Sequence, residues 1–163
     1  MKISLLSGET IEVPGTTLDG VCLDGARLHR AMLEHRSLIG SSLVRTDLRG
    51  AYLSGADLSD AKLVDASLIT ASMEHAILRR ANLVRTRLNS ASLVEAVLDG
   101  ADLTDADLFG ASLSNASVLG AKMLCKRISG ACFVGAIFDD HTVWPLGFDP
   151  IAAGAIRVSA SAK

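Results

Sequence analysis

From Thr16 to Asp140 the chain keeps a beat of five. Cut there into TTLDG, VCLDG, ARLHR, AMLEH, RSLIG and onward to AIFDD, it gives 25 consecutive pentapeptides without an insertion. The third position is Leu in 19 of them, and the remaining six carry Met73, Val118, Met123, Ile128, Phe133 and Phe138, so it is never polar. The first position is Ala in 18, and the fifth is Gly in 10 and Asp or Asn in 5 more. A short fixed period of this kind marks a chain that stacks one small unit upon itself.

Positions one and three are apolar and position two is mostly polar, which is the alternation of a strand. Positions four and five break that alternation, and Gly, Asp and Asn at position five suit a turn. Each pentapeptide therefore reads as an edge followed by a corner, and repetition winds a tube lined by Leu and Ala. A helix does not bury this pattern, because a period of five spreads the apolar positions around every helical face.

Charge indicates how many edges complete one coil. Equivalent residues in successive coils stand about 4.8 Å apart, so opposite charges are favoured there. At a separation of 20 residues the outward positions give nine opposite pairs and no like pair. The pairs are Arg27–Asp47, Arg45–Asp65, Asp60–Arg80, Asp65–Arg85, Arg79–Asp99, Arg85–Asp105, Arg87–Asp107, Asp102–Lys122 and Asp107–Arg127. Like pairs intrude at separations of 15 and 25. Four edges per coil follow, and about six coils would make a rod roughly 30 Å long.

The repeat resembles that of pentapeptide-repeat proteins, most clearly in ADLSD, ANLVR, ADLTD and ADLFG, which begin at Ala56, Ala81, Ala101 and Ala106. The resemblance implies an all-β fold, a right-handed quadrilateral parallel β-helix of about six coils of four pentapeptides. TVWPLGFDP, residues 142–150, looks like a tail that follows such repeats in some bacterial members. Residues 1–15 are expected to cap one end, with KISLL and TIEV as a short hairpin or an irregular first coil. Residues 16–140 form the β-helix, and 141–163 cap the other end and run into a disordered tail, SASAK. Trp144, with Phe133, Phe138 and Phe148 around it, is placed to plug the tube. Trp144, Phe148, Ile151 and Ile156 are also candidates for a dimer contact, since some relatives pair through apolar C-terminal surfaces.

Two first positions depart from Ala in charge. Arg36 either turns outward or points inward to hydrogen-bond the hydroxyls of Ser41 and Thr46, because an unpaired buried charge is too costly. Lys126, near the end of the repeat, is expected to reach solvent.

Catalysis finds no support in the chain. His29, His35, His75 and His141 are scattered, and His35 and His75 would lie two coils apart, about 10 Å. No GxSxG, HExxH, paired CxxC or phosphate-binding loop occurs. Cys22, Cys125 and Cys132 lack metal-type spacing, and the chain is expected to be cytoplasmic, without cofactor or metal. The start, MKISLLSGETIEVPG, reads as neither a secretory signal nor a membrane span.

Two binding readings compete. The first is a rigid scaffold for a protein partner, docking on an outward column of Val44, Val64 and Val84, continued by Thr104 and Leu124. Ordinary packing between stacked strands explains the same column. The second rests on the resemblance: relatives that protect DNA gyrase from poisons are acidic rods that mimic duplex DNA. The band Glu95, Asp99, Asp102, Asp105 and Asp107 holds five acids without a base. Against it stand the neighbouring Arg79, Arg80, Arg85 and Arg87 and a net charge of only −2, weak for a mimic of a polyanion. Neither reading involves direct nucleic-acid or membrane binding. The rod is expected to be a monomer or a C-terminally joined homodimer.

Overall fold

The computed structural model describes residues 1–159. The expected tail SASAK falls, but for its first serine, outside them. One residue from each edge carries the fold. Position two forms a parallel bridge with position two twenty residues later, from Cys22↔Ser42 through Ser117↔Ile137. Each bridging residue directs both backbone groups toward the preceding coil. Ser42 donates its N–H to Val21 O at 2.8 Å and accepts from Leu23 N at 2.7 Å. The period read from charge is thus the hydrogen-bonded period of the tube.

The corner is equally regular. The position-three carbonyl accepts from the next position-one N–H, as Leu23 O does from Ala26 N at 3.0 Å. The residue between them at position five has positive φ, as a type II turn demands. Gly, Asp and Asn were expected there, but Arg80 (φ 54°), His75 (φ 58°) and even β-branched Thr70 (φ 55°) take the same conformation. A non-glycine residue in that region costs about 1–2 kcal/mol. The ladder offsets the cost, since the Thr70 N–H donates to Asn89 O of the next coil at 2.9 Å.

Inside, the Leu and Ala columns are fully buried over most of the length, Leu83 and Ala101 at 0% exposure among them. Thr46 and Thr86 replace alanine in that interior. Each donates its hydroxyl to a carbonyl of the preceding coil, Leu23 O and Leu63 O, at 2.8 Å. The inward Arg36 bonds are not made: Thr46 is committed to Leu23, the Ser41 hydroxyl has no partner among the described residues, and Arg36 is half-buried.

The beat slips where the sequence keeps it. Cys125, the only position five before Asp140 without positive φ, bonds its N–H to Met123 O at 2.7 Å and is buried. Lys126 is exposed, as expected. A lysine cannot fill the alanine site, so the chain cuts the corner and puts the small cysteine inside. A second slip of one residue follows Phe138. Lys122 bridges Val143 rather than residue 142, and Thr142 takes the alanine site with its hydroxyl on Val118 O at 2.8 Å.

Both ends carry added strands. At the start, β1 (Lys2–Leu5) and β2 (Thr10–Glu12) form an antiparallel hairpin in the register Ile3↔Ile11. β1 also pairs antiparallel with β3 (Ala31–Met32) on the first coil. At the other end, β4 (Ile137–Phe138) pairs parallel with β5 (Ile156–Arg157). The aromatic residues gather there. Phe133 meets Trp144 and Phe148 edge-on at 5.4 and 5.5 Å between ring centres, and Trp144 stacks on Phe148 at 5.2 Å.

Candidate interaction surfaces

The valine column exists as a column. Val44, Val64, Val84, Thr104 and Leu124 each accept from position five of the preceding coil, at 2.8 to 3.0 Å or, for Val84, 3.1 Å. It is not an open stripe. The three valines and Thr104 are half-buried, and only Leu124, at 39%, is well exposed. Arg45, Asp65, Arg85 and Asp105 run beside them at position five, with Asp65 held by Arg85 at 2.7 Å.

The acid band is tied from both sides. Asp102 pairs with Lys122 at 3.1 Å, Asp107 with Arg127 at 2.6 Å and Asp99 with Arg79 at 3.8 Å. Glu95 faces His75 Nδ1 at 3.2 Å, and Asp105 alone has no cation within 4 Å among the described residues. Four of the five carboxylates of this band therefore face a base of the same rod. Of the nine pairs read at twenty residues, five close: these three, Asp60–Arg80 at 2.6 Å and Asp65–Arg85. Arg27–Asp47 does not, because Arg49 grips both oxygens of Asp47 at 2.8 and 2.7 Å. That competitor two residues away is visible in the sequence.

These pairs make a pH dependence with a definite sign. Hydrogen bonds from Arg80 and Arg85 hold the Asp60 and Asp65 carboxyls below the usual carboxylate range. A depressed folded pKa gives stability that is present above the unfolded value, about 3.9, and lost as pH falls through the folded one. The melting temperature should stay level from pH 7 down to about 5 and drop below about 4. In the double variant Asp60→Asn, Asp65→Asn that acid drop should be shallower. An identical acid profile would show that these ladders add nothing to stability. All four groups are solvent-exposed, so about 0.5 M salt should shrink the difference.

The C-terminal end is the most apolar surface. Val134, Val143, Leu146, Ile151 and Ile156 are exposed there, Leu146 completely, while Trp144 and Phe148 are half-buried. Ile151 and Ile156 thus lie at the surface, whereas Trp144 and Phe148 belong mostly to the plug. The sequence reading missed Val134, Val143 and Leu146, although all three lie within the last repeats or the tail motif.

Among the described residues no three His, Cys, Asp or Glu side chains could share a metal ion. Burial pushes the Cys125 thiol up to about 12, while a Ser114 hydrogen bond lowers that of Cys132. No helix among the described residues is long and apolar enough to cross a membrane.

The comparisons agree with this geometry. The model for pentapeptide repeats matches in eight copies between residues 37 and 140. The chain belongs to the pentapeptide-repeat family. A pentapeptide repeat protein from Nostoc Pcc 7120 is 32% identical, with a TM-score of 0.61, over 63% of this chain and 84% of that one. A pentapeptide repeat protein from the cyanobacterium Cyanothece 51142 is 37% identical, with a TM-score of 0.57, over 59% of this chain; the chain spans 65% of its length. QnrB1, a plasmid-mediated fluoroquinolone resistance protein, is 14% identical with a TM-score of 0.46, over 85% of this chain and 92% of that one. So distant a likeness says nothing of what this chain binds. No curated protein matches the chain in sequence.

Proposed function

We propose that this pentapeptide-repeat chain is a non-catalytic, protein-binding rod, a right-handed four-sided β-helix of about six coils. Its three free cysteines suit a reducing, cytoplasmic setting. The observation that carries the reading is the apolar C-terminal end. Five exposed aliphatic side chains fall between Val134 and Ile156, at the end of the rod, and suit a surface that another protein covers. A second copy of the chain is the simplest occupant, joining two rods end to end about a two-fold axis.

Sedimentation equilibrium tests it. The wild type should be a dimer at micromolar concentration, and the double variant Leu146→Asp, Ile151→Asp a folded monomer. Both residues are exposed, so the far-UV circular dichroism should not change. A monomeric wild type would remove the end-to-end dimer.

Binding to a type II topoisomerase as a DNA mimic is the weaker reading. A mimic needs acids free to take the place of phosphates, and the pairing of Asp99, Asp102 and Asp107 weighs against it. A gyrase supercoiling assay at two salt concentrations should show no inhibition and no rescue from a poison. Salt-sensitive inhibition would reverse the ranking.

A further inference from the structure

The N-terminal end of the rod has a strand edge that the hairpin leaves open. Because position two turns both backbone groups toward the preceding coil, those of the first coil have no coil ahead of them. Met32 is covered, by Ser4 of β1. Cys22 and Arg27, the same position on the two preceding sides, have no backbone hydrogen-bond partner among the described residues, and both are exposed. β1 shows what such an edge accepts: an antiparallel strand.

The edge at Arg27 opens into a cleft of about 410 Å³. Leu5, Leu6 and Ser7 of the hairpin line one side, and Arg27, His29 and Arg30 the other. Leu6 is 47% exposed. Arg27 is the cation whose ladder partner, Asp47, is taken by Arg49. Among the described residues neither Arg27 nor Arg30 has an acidic side chain within 4 Å, and the one carboxylate lining the cleft, Glu9, accepts the Ser7 hydroxyl at 3.3 Å. His29 and Arg30 also line a second depression, of about 380 Å³, with the polar side chains of Tyr52, Thr70 and Ser72.

We propose that this end binds an extended acidic segment of a partner protein as an added strand on the Ala26–Leu28 edge. The free N–H and C=O of Arg27 supply the ladder bonds, Arg27 and Arg30 take carboxylates of the segment, and Leu6 takes an apolar residue beside them. A second copy of this chain does not fit, since pairing two such edges sets Arg27 against Arg27. The site is at the opposite end from the apolar surface, so either can fail alone.

The probe is a fluorescein-labelled eight-residue peptide of alternating glutamate and valine. A lysine–valine peptide and a single-stranded oligonucleotide of equal charge to the glutamate peptide are the comparisons. Fluorescence anisotropy should show binding of the glutamate peptide alone, at a Kd between about 10 μM and 1 mM. The double variant Arg27→Glu, Arg30→Glu should weaken it at least about tenfold, with an unchanged melting temperature. Amide exchange at Arg27 should slow on saturation in the wild type, and the Leu146→Asp, Ile151→Asp variant should bind as the wild type does. No binding at about 1 mM, equal binding of the lysine peptide, tighter binding of the oligonucleotide, or an unprotected Arg27 amide overturns the proposal.

Discussion

Replacing Leu83 by alanine should lower the stability by about 4 kcal/mol, near the upper end for a leucine truncation. For a chain of this length that is a fall of roughly 8–16 °C in melting temperature. Leu83 is fully buried in the middle of the tube, with Ala81 beside it in the wall. The cost of a truncation depends on how far the surroundings can collapse into the space. Here they cannot, because each wall is a strand edge bonded above and below. Leu83 donates its N–H to Asp102 O at 2.8 Å, and Asn82 bridges Lys62 in the coil before and Asp102 in the coil after. Leu23 is the comparison. It stands in the first coil, is 8% exposed, and has no preceding coil. Leu23→Ala should cost only about 2 kcal/mol. Urea unfolding of both variants decides it, and equal costs would mean that the middle of the tube yields as readily as its end.

The same walls explain what could be read before the structure was known. A side chain that must fit between fixed walls leaves its mark at every repeat, so the leucine column, the alanine column and the twenty-residue period were all legible. Surface pairs were legible only in part. Asp60–Arg80 and Asp107–Arg127 closed, but Asp47 chose Arg49 over Arg27, because a side chain two residues along the same edge reaches as easily as one in the next coil. The corners were under-read for a different reason. Glycine is the cheapest residue with positive φ, yet the ladder holds Arg85, Glu95 and Thr70 in that conformation too. The slip at Cys125 left one sign, a lysine in an alanine position. Its resolution, cysteine in and lysine out, follows from size and charge, but the bond that makes it, Cys125 N–H to Met123 O, is not written in any pattern. The apolar end was half legible. Ile151 and Ile156 stood out as a run, whereas Val134 and Val143 sit at positions four and two and show their exposure only where no further coil covers them.

Replacing Phe133 by alanine should act on one end of the rod rather than on the whole. Phe133 occupies the leucine position of the last regular coil, is fully buried, and touches Trp144 and Phe148 edge-on. The truncation should cost about 3–5 kcal/mol, to which the lost aromatic contacts contribute about 0.5–1.5 kcal/mol each. In a solenoid each coil contacts only its neighbours, so this loss falls on the terminal unit. That unit is held by few ladder bonds: Ile156 N–H to Ala136 O at 2.7 Å, Val158 N–H to Phe138 O at 2.8 Å and Gly135 N–H to Gly154 O at 2.9 Å. Hydrogen exchange at Ile156 and Val158 should therefore rise toward the unprotected rate, while the Leu83 amide keeps its protection. Unfolding should separate into two steps, the end before the middle. Phe133→Leu distinguishes a plug from a wall. Leucine restores the residue that the repeat prefers but cannot reach both rings, so it should still lose about 1–2 kcal/mol at this end. If Phe133→Leu matched the wild type, the aromatic cluster would be filling a wall and not closing a tube. The apolar surface above it would then have to hold its shape without the plug, and the end-to-end dimer would survive Phe133→Leu undiminished.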